Sequence, residues 1–333
     1  MHAMLADHDG TLRWSVVSDP RPHPEEVLVE VHAAAVNRAD LLQRMGTYPP
    51  PPGAPSWMGL EVAGTVSWVG AEAAPGPGGR RWEVGDRVCA LLPGGGYAEQ
   101  VAARPELLLP IPASLTMTEA ASLPEVFATV YLDLVLEAGL EAGETVLIHA
   151  GASGVGVAAI QLARLLGARV LTTVSSPAKA EAVRRLGAEL VVDRRSGDLG
   201  AAMDACAAEG RPVAVTLDCV GGADLGAHLA RMADGGRWVL IATLAGERSE
   251  IPLRALLKRG LRLIGSTLRN RPLAMKARVI DGLHTTVWPA LAAGTVRPVI
   301  HAVLPMAEAA SAHAILERGE NIGKVVLTLP PHR

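Results

Sequence analysis

The chain has 333 residues, of which 49% are hydrophobic and 20% charged, so it holds ample material for buried cores and gives little case for disorder. At roughly 150 residues per domain, this length favours two domains over one. Thirty-one Lys and Arg against thirty-four Asp and Glu give a net charge of −3, and the aromatics are six Trp, three Tyr and one Phe. That leaves neither a cationic excess nor a stacking surface for nucleic acid.

The segment Met1–Asp9 lacks an unbroken apolar run and does not read as a signal peptide. Next come β-like stretches, Val27–His32, Glu61–Val69 and Asp86–Leu92, which mix β-branched residues with turn signals at Gly70, Gly85 and Pro93. Between the first two lies Thr47-Tyr-Pro-Pro-Pro-Pro-Gly, where fixed proline dihedrals predict a stiff extended loop. Ala74-Pro-Gly-Pro-Gly-Gly reads as a surface loop. The most apolar stretch, 120–140, is broken by Pro124, Glu125, Asp133 and Glu137 and is not a membrane span. From about residue 123 short apolar runs alternate with helical segments. The runs are Thr145–His149, Val170–Val174, Leu190–Val192, Val213–Leu217, Trp238–Ile241 and Leu261–Ile264. Six buried-looking strands separated by helices predict a doubly wound parallel sheet. After Arg271 we expect one long helix, a strand at Val299–Val303, a helix at Met306–Arg318 and a last strand near Lys324–Leu329. Cys89, Cys206 and Cys219 are odd in number and far apart, against a disulfide framework. Together these bounds predict a cytoplasmic protein with no membrane or nucleic-acid partner.

Gly151-Ala152-Ser153-Gly154-Val155-Gly156 stands between a predicted strand and a predicted helix. Small residues there let the backbone approach a pyrophosphate, and the first helical N–H groups meet its charge. Ser153 replaces the middle glycine, and its hydroxyl can itself donate to a phosphate. An NAD enzyme places Asp or Glu at the end of the second strand to accept from the ribose 2′-hydroxyl. This chain has Val174-Ser-Ser-Pro-Ala-Lys and no acid before Glu181. Ser175 can donate to a 2′-phosphate, Lys179 supplies positive charge one turn into the helix, and Arg194 can close the same pocket. The missing acid predicts NADPH.

Longer blocks carry a resemblance: Ala35-Val-Asn-Arg-Ala-Asp-Leu-Leu-Gln-Arg, Tyr48-Pro-Pro-Pro-Pro-Gly, Gly59-Leu-Glu-Val-Ala-Gly, Ala90-Leu-Leu-Pro-Gly-Gly-Gly-Tyr-Ala, Leu147–Gly156, Leu217-Asp-Cys-Val-Gly-Gly, Gly236-Arg-Trp-Val-Leu and Asn321-Ile-Gly-Lys. Over nearly its whole length the chain resembles a medium-chain dehydrogenase/reductase, in particular the zinc-free quinone oxidoreductases and their p53-inducible, quinone-oxidoreductase-like branch. The resemblance implies an α/β fold in which a GroES-like β-rich domain (1–122 and 271–333) encloses a Rossmann NADPH-binding domain (123–270). It also implies a homodimer joined through Rossmann edge strands.

Alcohol dehydrogenases of that superfamily hold a catalytic zinc, which needs three ligands and an open position. Where they carry a cysteine with an Asp three residues on, this chain has Asn37-Arg-Ala-Asp40. Where they have Gly-His-Glu, it has Gly59-Leu-Glu61, and the four-cysteine lobe is replaced by Pro93-Gly-Gly-Gly-Tyr. No metal is expected. The feasible chemistry is then hydride delivery to an acceptor that is already electrophilic, a quinone or an enone. Candidate catalytic residues are Asn37, whose amide the resemblance places near the nicotinamide, Tyr48 on its proline-stiffened loop, and Thr129, which resembles the family threonine beside the cofactor. Asp40 and Glu61 are expected to organise the domain, and His149 to be a buried, hydrogen-bonded residue. Cys89 and Cys219 are expected to be core residues. The resemblance further implies cofactor contacts from Cys219 and Val220 after the fourth strand, Ile241 and Thr243 after the fifth, Ser266, Thr267 and Leu268 after the sixth, and Asn321 near the C-terminus. Arg194 stands where close relatives have a tyrosine. Competing readings are a 2-enoyl thioester or enone reductase using Tyr48 as proton donor, and a crystallin-like or RNA-binding cofactor protein without turnover, which the acidic net charge disfavours.

Overall fold

Val27, Val29 and Val31 alternate with partly exposed residues and bury one face of a strand, whereas Ala33–Val36 is buried throughout. One continuous strand therefore passes from a half-covered to a fully covered part of its sheet. In the computed structural model, which describes residues 1–330, the chain divides into two units. One is Met1–Ala128 with the segment from Leu268 onward, and the other is Thr129–Thr267. The first part carries β1 (His2–Ala6), β2 (Leu12–Val16), β3 (Val27–Val36), α1 (Arg38–Arg44), β4 (Glu61–Val69), β5 (Arg87–Leu91), β6 (Gln100–Ala103), β7 (Leu108–Pro110), α2 (Met117–Ala120) and α3 (Pro124–Val130). The second unit carries β8 (Thr145–Ile148), α4 (Gly154–Leu165), β9 (Arg169–Val174), α5 (Pro177–Leu186), β10 (Leu190–Asp193), α6 (Leu199–Ala208), β11 (Val213–Asp218), α7 (Leu225–Leu229), β12 (Arg237–Leu240), α8 (Leu253–Arg259) and β13 (Arg262–Gly265). The chain then returns to the first unit with α9 (Leu273–Thr286), α10 (Trp288–Ala292), β14 (Ile300–Pro305), α11 (Ala309–Glu317) and β15 (Lys324–Thr328).

The first unit is built on a seven-stranded sheet in the order β14-β15-β3-β4-β5-β7, with β6 also paired to β3. β15 runs antiparallel to β3 with Val325 opposite Val36, so the two ends of the chain share one core that includes Val31, Met58, Val62, Tyr97, Leu108, Met306 and Leu327. The long helix expected after Arg271 is two helices. The break falls at Val287, because Pro289 lacks the N–H that would continue the ladder. The β1–β2 hairpin and the short α1 were not anticipated. α1 starts where the Asn37 N–H donates to Asp40 Oδ2 at 2.8 Å, a side chain reaching back to cap its own helix.

The second unit is a six-stranded, all-parallel sheet in the order β10-β9-β8-β11-β12-β13. In chain order this is 3-2-1-4-5-6, the doubly wound Rossmann arrangement. β8 and β11, in the middle, are wholly buried. β13 is mostly exposed, which corrects the expectation of six buried strands: it is an edge, with a neighbour on one side only. The unit junctions fall within α3 and after Thr267. Among the described residues no helix is long and apolar enough to cross a membrane.

Candidate functional site

In a parallel sheet all strands end along one edge, so the segments that follow them are gathered there. After β8 the chain turns through His149–Ser153 into α4, with Ala150 in the left-handed region at φ 52°. A Cβ on Gly151 would lie 2.1 Å from Thr172 Oγ1, and one on Gly156 2.4 Å from the Ala150 carbonyl oxygen. The turn's own packing therefore demands both glycines. Ser153 Oγ accepts the Gly156 N–H at 3.0 Å and caps α4. The first helical N–H groups, Gly154 and Val155, have no acceptor within the helix and carry its positive end.

Around this turn, His149 Nδ1 sits 3.4 Å from Thr173 Oγ1 and its ring lies tilted against Trp238. Burial holds its pKa below the ordinary histidine value, so the ring is neutral. Its Nε2 is buried with no hydrogen-bond partner among the described residues, and the same is true of Ser266 Oγ. Asp218 Oδ1 accepts the N–H groups of Val220 (2.6 Å) and Gly221 (3.1 Å), and its Oδ2 accepts Trp238 Nε1 at 3.1 Å. Cys219, expected in the core, is half-buried with its sulfur 4.0 Å from the His149 carbonyl oxygen, whereas Cys89 is fully buried. Ile241 N–H donates to the Asp218 carbonyl and Ala245 N–H to that of Val220, so the loops after β11 and β12, Thr243 included, pack together. The structure thus brings Gly151–Gly156, Cys219, Val220, Ile241, Thr243 and Ser266 to one edge. Thr267 ends this unit, and Thr129, in α3, begins it. His149 Nε2 and Ser266 Oγ, two orphaned buried polar atoms along the strand-end edge that carries the glycine turn, fit a phosphate-bearing dinucleotide that supplies their missing partners.

Register places Asp193 beside Val174, and Arg194 N–H donates to the Val174 carbonyl at 2.9 Å, so Arg194 follows alongside Ser175. Ser176 Oγ caps α5 by accepting from Lys179 N–H, which sets Lys179 on its first turn. Burial, then the charges of Arg194 and Arg195, lower the Lys179 pKa. The sequence reading had missed Arg195.

The first unit holds a buried polar network. Glu61 Oε1 lies 2.7 Å from Lys324 Nζ and accepts Asn37 Nδ2 at 3.0 Å, while its Oε2 accepts the Glu125 N–H at 2.9 Å. Lys324 also donates to Asn37 Oδ1 (2.6 Å) and to the Val36 carbonyl (2.9 Å). Asn37 Nδ2 donates again to the Ala35 carbonyl at 3.2 Å, so the amide expected to face substrate or cofactor is engaged at all its atoms inside this network. Asp40 accepts the N–H groups of Asn37 and Gly59, and burial outweighs those bonds to push its carboxyl up to about 6. Asn321 closes a turn before β15, donating to the Gly323 carbonyl at 2.7 Å. Leu268, also in this unit, is buried.

Tyr48 is half-buried beside Arg269, whose Cζ lies 5.4 Å from the ring centroid. Arg269 Nε donates to the Pro93 carbonyl (2.7 Å), Nη2 to Gln43 Oε1 (2.7 Å) and Nη1 to the Tyr48 carbonyl (3.4 Å). Lys276 Nζ donates to the Arg269 carbonyl at 3.4 Å. Burial and the charge of Glu125 raise the Tyr48 pKa, and Arg269 opposes them. Glu125 keeps some exposure, yet enough protein surrounds its carboxyl to push it up to about 8, with the charge of Glu61 adding to the effect. The sequence singled out Tyr48 but missed Arg269 and Lys276, and it used Glu125 only against a membrane span. An acid inside an apolar run was the available signal.

Residues 23–113 match the family model described as an alcohol dehydrogenase GroES-like domain, and residues 154–284 the one described as a zinc-binding dehydrogenase. A solved quinone oxidoreductase from Thermus thermophilus, known also in complex with NADPH, is 33% identical, with 99% of this chain and 100% of that one covered and a TM-score of 0.82. The chain belongs to the medium-chain dehydrogenase/reductase superfamily. CurK enoyl reductase is 27% identical over 99% of both chains, with a TM-score of 0.85. Polyketide synthase GfsB from Streptomyces halstedii is 34% identical over 98% of this chain, which spans only 5% of that protein's length.

The zinc implied by one superfamily description does not fit these residues. Asn37 and Leu60 stand at two expected ligand positions, and the Glu61 carboxylate is taken by the Lys324 ammonium, Asn37 and the Glu125 N–H. Among the described residues no three His, Cys, Asp or Glu side chains are grouped so as to hold a metal ion.

Proposed function

We propose that this protein is an NADPH-dependent reductase of a quinone-type acceptor, of the zinc-free kind that the motifs resemble. The observation that carries the reading is the cation group Lys179, Arg194 and Arg195 beside Ser175, at the strand end where an NAD enzyme needs an acid. Ser175 and Lys179 bind the 2′-phosphate, with Arg194 and Arg195 closing the pocket. The N–H groups of Gly154 and Val155, with the Ser153 hydroxyl, hold the pyrophosphate. His149 Nε2 and Ser266 Oγ pair with polar groups farther along the dinucleotide. Thr129, Thr267, Leu268 and Asn321 join this set by resemblance. NADPH, when bound, supplies a hydride. The whole-length likeness to a quinone oxidoreductase supports the acceptor class.

A second reading, reduction of an enone or 2-enoyl thioester, is favoured by Tyr48 standing half-buried beside Arg269, because a C=C reduction needs a proton donor for the enolate. The likeness to an enoyl reductase and a polyketide synthase supports it. NADPH oxidation measured side by side with naphthoquinone, phenanthrenequinone and crotonyl-CoA separates the two. Quinones are expected to turn over fastest. Faster turnover of crotonyl-CoA would move the assignment to the second reading, and turnover of none would leave a binding protein. We also read β13 as the self-pairing edge of a homodimer.

A further inference from the structure

At the strand-end edge of the second unit, the hydrogen bonds around His149 decide which of its ring nitrogens carries the proton. Resting on the reading of the protein as an NADPH-binding reductase, we propose that Thr173 fixes His149 in the tautomer with its proton on Nε2, so that this nitrogen donates a hydrogen bond to an acceptor atom of the bound dinucleotide.

Thr173 is 5% exposed, and its hydroxyl oxygen accepts the Ala150 N–H at 3.1 Å. A hydroxyl also has one hydrogen to donate. Among the described residues the other partner of Thr173 Oγ1 is His149 Nδ1, at 3.4 Å. Were the proton on Nδ1, Thr173 would accept twice and bury its own hydrogen without an acceptor, a costly arrangement. Nδ1 therefore accepts from Thr173, and in a neutral ring the proton sits on Nε2. The ring is neutral because neither nitrogen is hydrogen-bonded to a carboxylate among the described residues. Asp218, the acid whose charge acts on the ring, gives Oδ1 to the Val220 and Gly221 N–H groups and Oδ2 to Trp238 Nε1. The charge of His228 and burial both oppose protonation of His149.

The imidazole has little freedom to turn away. The His149 backbone N–H is bound to the Leu217 carbonyl at 3.0 Å, and the ring lies 5.8 Å from Trp238, centroid to centroid. Its Nε2 is nonetheless buried without a partner among the described residues, as is Ser266 Oγ. A hydroxyl can donate or accept, so Ser266 suits either kind of group. Nε2 of this tautomer can only donate, which selects an acceptor: a hydroxyl, phosphate or carbonyl oxygen, or an unprotonated ring nitrogen. Thr173 touches no ligand in this scheme and is a positioning residue. Its carbonyl also accepts the Gly151 N–H at 2.9 Å, so one residue sets both the start of the glycine turn and the direction of the His149 donor.

Nitrogen NMR of histidine-labelled protein reads the tautomer without turnover, with His149 identified by the signal lost in His149→Phe. Wild type should show a protonated Nε2 and a bare Nδ1. Thr173→Ser, which keeps the hydroxyl, should preserve that pattern, and Thr173→Val should move the proton wholly or partly to Nδ1. Saturating NADPH should shift the Nε2 signal and slow exchange of its proton. In calorimetric titration the Kd for NADPH should weaken on the order of 10-fold in His149→Phe and Thr173→Val, and recover in Thr173→Ser. A proton on Nδ1 in wild type, an unchanged tautomer in folded Thr173→Val, or an unmoved Nε2 signal in protein that binds NADPH would each overturn the proposal and leave the reductase reading standing. If Thr173→Val does not fold, the wild-type tautomer and its response to NADPH decide alone. Calorimetry that found no NADPH binding would overturn the reductase reading itself, and the donor's role with it.

Discussion

Two residues show how far a side chain's role depends on what surrounds it. Asn37 occupies a position that the superfamily resemblance assigns to the reaction centre, yet both amide hydrogens and the amide oxygen are bound by Ala35, Glu61 and Lys324. Glu61 and Lys324 stand far apart along the chain, near its opposite ends, and no local pattern announces their pairing. Removing one member of such a buried pair strands the other charge, at about 3–5 kcal/mol. Lys179 is the opposite case. Its place, one turn into a helix after an acid-free strand end, is a local signal, and the structure adds only its neighbours Arg194 and Arg195. Ser175→Ala combined with Lys179→Ala should raise the KM for NADPH on the order of 10- to 100-fold, the worth of charge-assisted bonds to phosphate, and change the KM for NADH little. Steady-state kinetics with both cofactors decides this, and equal losses would move the 2′-phosphate pocket elsewhere.

Among the elements, the strand–turn–helix of β8 and α4 was the most legible, because small residues at fixed spacing have few other uses. The structure shows a second reason for them: the chain crosses itself so closely that Gly156 has no room for a Cβ between the Ala150 carbonyl and Gly151. Gly156→Ala should lower stability by about 1–3 kcal/mol through forced backbone shifts, and weaken NADPH binding with it. Thermal unfolding together with calorimetric titration measures both. Normal stability with normal affinity would show that the turn can relax. The helix expected after Arg271 was misjudged in length because Pro289 breaks it at a point where the apolar pattern continues. Arg237 illustrates a contact outside any local rule: from β12 it grips both carboxylate oxygens of Glu144 and the carbonyls of Ala138 and Gly139.

For the molecule as a whole, the second unit's sheet is left open at β13, and nearby α8 exposes Leu253 (71%) and Leu257 (82%). An unpaired edge with Leu263 half in solvent invites a second copy to continue the sheet. Sedimentation equilibrium should give twice the chain mass, and Leu263→Lys should shift it toward the monomer. A wild-type monomer would remove the dimer from the proposed function. Residue order alone was enough for the alternation of strand and helix, the parallel sheet, the phosphate-binding turn and the acid-free strand end. Each of these follows from propensity and period over a few neighbouring residues. It took the folded chain to reveal that Glu61 answers Lys324, that Arg269 holds Tyr48, and that Glu125 keeps its proton near neutrality. Those outcomes depend on burial and on charges brought together from distant parts of the chain, which no local pattern of residues encodes.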